Sequence, residues 1–200
     1  MSGTSLTLRA LLKSSAARAA LGGDTRSVAG LSVAAKGFAV AAAATDTVVV
    51  VIVPTDGDVE QMVADTRFFL GGLAGLSDHE LAHAVLPFPS HEVDPYRGLA
   101  PHFDVAAARG RALYGLAGQS VRVVVAAAAA LLPRLSPPTR LLAAGAGLVV
   151  GALLEPPDLG DQLADAGFTP VDPVDAHGEF CLRGGVVDFF PAGDGCLLRQ

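Results

Sequence analysis

No tryptophan occurs in the 200 residues, and aromatics of all kinds make up only 6%. A core built from this chain must be filled by small and β-branched side chains, drawn from a hydrophobic fraction of 51%, and such a core brings backbones close together. Cysteine is nearly absent: Cys181 and Cys196 stand alone, without metal-type spacing. That argues against a disulfide framework or a cysteine zinc site and fits a reducing cytoplasm. Basic residues are few, with 14 Lys and Arg against 20 Asp and Glu, a net charge of -6, and they are scattered. A surface built to track phosphates is therefore not expected. Long apolar runs are missing too. The uncharged stretch from Leu141 to Leu154 falls short of the ~20 residues a bilayer-spanning helix needs, and Arg9, Lys13 and Arg18 interrupt any signal-peptide core. A cytoplasmic protein without a membrane partner is expected.

What is present is a sequence able to bury one ordinary core or two small ones, with 17% charged residues. Leu8, Leu11, Leu12 and Leu21 recur at helical spacing before Gly22-Gly23. Ser27–Leu31 reads as a strand, Ser32–Gly37 as a loop, and the alanine-rich run to Ala44 as a helix. Thr47–Val53, an uninterrupted β-branched run closed by Pro54, predicts a strand buried on both faces in a parallel sheet. Helices are expected over Asp56–Leu70 and Phe103–Leu116, followed by a second buried strand at Val121–Val125 and a helix ending before Pro133. Such alternation predicts a doubly wound parallel α/β sheet over residues 1–136. Ser136-Pro137-Pro138 is the best linker. Beyond it, over 139–200, a smaller α+β domain is expected: a strand within Arg140–Val150, a helix over Asp158–Ala166, two strands broken at Gly184-Gly185, and a further strand from Cys196 to Arg199 that makes the domain look incomplete.

Three stretches could carry chemistry. Gly30-Leu31-Ser32-Val33-Ala34-Ala35-Lys36-Gly37 stands where a phosphate-binding loop would stand, but that loop needs a glycine at the place of Ala35 and a hydroxyl at the place of Gly37 to hold magnesium. Gly30, Lys36 and Gly37 thus mark a degenerate phosphate loop, and no cofactor is expected. His79-Glu80-Leu81-Ala82-His83 spells H-E-x-x-H, which on a helix can place two imidazoles and a general base around zinc. Ser77 and Glu80 equally form a capping box, and a third ligand would have to come from His91, Glu92 or His102. The third stretch runs from His177 to Pro191, where Gly184-Gly185 marks a bend and Arg183, just before it, can present its planar fork to a carboxylate.

Gly178-Glu179-Phe180 with Arg183-Gly184-Gly185-Val186-Val187-Asp188-Phe189-Phe190-Pro191 resembles the motif G-E-F-x-x-R-G-G-[IV]-[ILV]-D-[IVF]-F-P of the N-terminal region of bacterial transcription-repair coupling factors, a region similar to excinuclease B. Leu86-Pro87-Phe88-Pro89 with Pro95-Tyr96, Pro101-His102, Arg109, Val123–Ala126 and Leu131-Leu132 follow in the family order. The resemblance implies a first domain of motor type that has lost its nucleotide chemistry, and a second that binds excinuclease A, the damage-recognition component of nucleotide excision repair, with no catalytic residues in this chain. It places the partner-contacting arginines at Arg183 and Arg199. In the complete factor it implies further regions that bind RNA polymerase and use ATP to translocate on DNA. An active ATP-dependent translocase and a zinc peptidase through His79, Glu80 and His83 are the competing readings.

Overall fold

The computed structural model describes residues 27–45, 47–91, 93, 101–143, 148, 151, 153–191 and 198–199. They form two compact units, one of the described residues up to Ser90 with Gln119–Arg134, the other of His91–Gly118 with the described residues from Leu135 onward.

The first unit holds α1 (Val33–Ala43), β1 (Val49–Val53), α2 (Asp56–Ala74), α3 (Asp78–Ala84), β2 (Val85–Phe88), β3 (Val123–Ala127) and a 3-10 turn at Ala128–Leu131. Its sheet is parallel, in the order β1-β3-β2, with Val51 opposite Val125 and Pro87 opposite the same residue from the other side. The central strand has no polar side chain, and all five of its residues are buried, as an inner strand of a parallel sheet requires. β1 behaves otherwise: Val53 is buried while Val50 and Ile52 are 52% and 59% exposed.

The helix α2 lies against all three strands. Thr55 starts it with a capping box, its hydroxyl accepting from the Asp58 N–H at 3.3 Å while the Asp58 carboxylate accepts from the Thr55 N–H at 3.1 Å. Gly75, at φ 74°, ends it in the left-handed region that favours glycine. Val59, Met62, Val63, Thr66, Leu70 and Leu73 form its buried stripe at helical spacing, and each large apolar side chain so buried contributes about 1.5–3 kcal/mol. α1 packs on α2, and the contact is close because Gly37 has no side chain: a Cβ there would stand 2.6 Å from the Cβ of Asp65.

In the second unit are α4 (Phe103–Ala117), α5 (Pro138–Ala143), α6 (Pro156–Asp165) and a sheet of β4 (Thr169–Pro170), β5 (Glu179–Arg183), β6 (Val186–Phe189) and β7 (Leu198–Arg199), ordered as numbered. β4 and β5 are parallel, and the remaining pairs are antiparallel. Leu159 and Leu163 of α6 meet Phe180, Val187 and Phe189 of the sheet, with Phe168 against them, to make its core.

The expected mixed α/β class forms, as a small parallel sheet and a second small sheet. Several elements differ. Ser27–Leu31 forms no strand, and the expected loop is helix from Val33, because the Ser32 hydroxyl accepts from the Ala35 N–H at 3.3 Å and caps the helix ahead of Lys36. Residues 138–143 are helical in place of the expected strand, since Pro138 suits the first helical position and Leu and Ala are good helix formers. After β3 a single 3-10 turn stands in place of a helix. Leu86–Phe88, in the stretch that follows the family order, belongs to β2, a border strand that tolerates Pro87. The helix expected over Leu6–Leu21, the dipeptide Pro95-Tyr96, Glu92 and Cys196 lie outside the described residues.

Candidate functional site

The residues from Thr169 to Pro191 fold around one hairpin, and several positions of the glycine-aromatic motif have a local role. Gly178 has φ +81°, and a Cβ on it would stand 2.6 Å from the Phe103 ring. Two separate constraints thus require glycine there. The Glu179 carboxylate accepts from the N–H groups of Asp175 at 2.9 Å and Ala176 at 2.8 Å, tying down the preceding turn. Those two backbone hydrogen bonds hold its pKa below the ordinary glutamate value. Phe180, opposite Phe189 in the register, is core. His177 is stacked on Phe103 with centroids 5.7 Å apart and tilted on Phe190 at 4.1 Å; its Nδ1 lies 2.8 Å from the Pro191 carbonyl oxygen and donates to it.

Arg183 closes β5 and pairs with Val186 across a two-residue turn. Gly184 there has φ +60°, the first-position glycine of a II′-type hairpin turn. The guanidinium is not wedged into the fold. Its Nε donates to Oδ2 of Asp172 at 3.2 Å, and its Nη2 is ion-paired with Oδ1 of the same carboxylate, with both side chains more than half exposed. Arg199 lies on β7 opposite Asp188, two residues beyond Val186 on β6. Asp172 has no signal in the sequence, since it comes from a loop eleven residues before Arg183.

The other motifs take different roles. Lys36 is exposed in the second turn of α1 and Gly37 is buried at the α1–α2 crossing, while Gly30, at φ +78°, precedes the cap. A phosphate cradle needs consecutive N–H groups turned outward from a loop, and here the corresponding residues from Val33 onward are helical. His79 and His83 are neighbours on α3 with ring centroids 4.7 Å apart. Glu80 turns back instead: its carboxylate accepts from the Ser77 N–H at 2.8 Å and hydroxyl at 2.7 Å, and these bonds lower its pKa. A carboxylate so occupied is a poor general base. His102 caps α4, its Nδ1 accepting from the Asp104 N–H at 3.3 Å, and the pKa of His91 is lowered by burial and by the nearby charge of Arg109. Among the described residues no cluster of three or more His, Cys, Asp or Glu is placed to hold a metal ion. Arg109 is itself buried, so it is not a surface contact. Among the described residues no helix is long and apolar enough to cross a membrane.

No protein-family model matches the chain. Curated relatives do. Over 112 residues it is 31% identical to the transcription-repair-coupling factor of Haemophilus influenzae, covering 56% of this chain and 10% of that protein. The chain resembles transcription-repair coupling factors. The proteins of that name from Escherichia coli, 32% identical over 109 residues (54% of this chain, 10% of the relative), and Myxococcus xanthus, 32% identical over 133 residues (66% and 11%), agree. The chain spans about a tenth of the length of these coupling factors.

Proposed function

We propose that this chain is a non-catalytic docking module of transcription-repair coupling type, recruiting excinuclease A through an arginine displayed at a hairpin end. One observation carries the reading: Gly178, Glu179, Phe180, Gly184, Val187 and Phe189 all have work within the fold, whereas the Arg183 side chain is 56% exposed at the tip. A motif side chain that is exposed and packs into no core, held only by an exposed carboxylate, is available to serve a partner. Arg199, on the neighbouring part of the sheet, joins the same contact surface in this reading. In a longer coupling factor, other regions would engage RNA polymerase and DNA.

Removing one partner of a charge pair buried at an interface typically costs 2–5 kcal/mol, or about thirtyfold and more in affinity. A pull-down with purified excinuclease A, comparing wild type with Arg183→Glu, tests the proposal. Retention of wild type and loss of the variant is expected; equal retention of both removes Arg183 from the account.

A further inference from the structure

The exposed arginine is not left to swing. Asp172 holds it by one edge only: Nε and Nη2 together face the two carboxylate oxygens, the side-on arrangement of a planar fork. A guanidinium carries five N–H groups, and this arrangement uses two. Of the three that remain, one N–H on Nη1 and the second on Nη2 form an end-on edge that matches another carboxylate. We infer that Asp172 is a positioning residue, fixing the plane of Arg183 so that its end-on edge is presented to an acidic side chain of the docking partner. This inference rests on the docking reading above.

Two opposing effects decide the sign. Asp172 neutralises Arg183 and would weaken a purely coulombic attraction. At physiological salt, however, attraction between exposed charges more than about 8 Å apart is largely screened, so little long-range attraction is there to lose. A free arginine instead gives up ~2 kcal/mol of rotamer entropy when it is immobilised. Asp172, from a loop with its own backbone fixed nearby by Val171 N–H donating to the Phe180 carbonyl at 2.9 Å, meets part of that cost before the partner arrives. Orientation therefore outweighs neutralisation. The exposed pair itself adds little to folding stability, which separates its positioning role from a structural one.

The test uses the full 200-residue chain and purified excinuclease A in a double-mutant cycle. Asp172→Ala is expected to weaken binding about three- to tenfold, the size of one lost side-chain preorganisation. Asp172→Glu should restore part of the loss. In an Arg183→Ala background Asp172→Ala should change nothing further, and the 15N order parameter of Arg183 Nε should fall in Asp172→Ala without the partner present. Binding by Asp172→Ala as tight as wild type or tighter overturns the inference, as does an equal loss in the Arg183→Ala background or an unchanged order parameter. These outcomes leave the docking reading intact. Failure of the wild-type chain to bind excinuclease A overturns the docking reading, and this inference with it.

Discussion

Two glycine-bearing stretches, Gly30–Gly37 and Gly178–Gly185, look alike as sequence and fold to opposite ends. In the first, the residues that could cradle phosphate are absorbed: Ser32 caps a helix, Gly37 is the floor of a helix crossing, and Lys36 is left on a solvated turn. In the second, Gly178 permits a close aromatic contact and Gly184 a left-handed turn, and Arg183 stands exposed beside that turn. A glycine motif is informative only once the demand on each glycine is known, whether a left-handed backbone, a close neighbour or neither.

The contrast can be broken most forcefully at Gly178. Gly178→Ala combines a positive-φ penalty with overpacking against Phe103 and should cost about 2–4 kcal/mol, read as a fall in midpoint by urea denaturation. Gly37→Ala puts a methyl group against Asp65 but gains helix propensity, so a smaller loss of about 1–2 kcal/mol is expected. If Gly37 served only a nucleotide, stability would rise instead.

Acid sharpens the comparison next. Because the folded-state pKa of Glu179 is depressed, its stabilisation is complete above the ordinary glutamate pKa and is lost as pH falls through the lower folded value. Glu179→Gln should therefore flatten the acid side of the stability profile, measured by thermal melts across the pH range below about 5. The smallest effect belongs to Lys36→Ala. An exposed residue outside the packing should alter stability by no more than about 0.5 kcal/mol, and titration calorimetry with magnesium and ATP at millimolar nucleotide should show no heat for wild type or variant.

Much of this architecture is legible in the sequence. The β-branched runs of β1 and β3, the capped helix α2 and the hairpin split at Gly184-Gly185 all follow from period and turn chemistry. The early start of α1 is not, because a single serine hydroxyl decides between loop and helix in an alanine-rich segment that suits either. At the site, Arg183 is recognisable from its place before the bend. Asp172 and the His177 clamp between Phe103 and Phe190 are not, since such contacts depend on how distant loops are brought together and leave no spacing to count. Glu80 is legible in both of its roles, and the hydrogen bonds to Ser77 favour the cap.

Pro87 sits inside β2, at one border of the three-stranded parallel sheet, and contributes no N–H. A newcomer strand laid along that border would meet a gap in the row of donors, whereas β1 at the opposite border is an unbroken run of Val and Ile, every residue of which carries one. Among the described residues, then, the row of backbone donors is continuous along β1 and interrupted at β2.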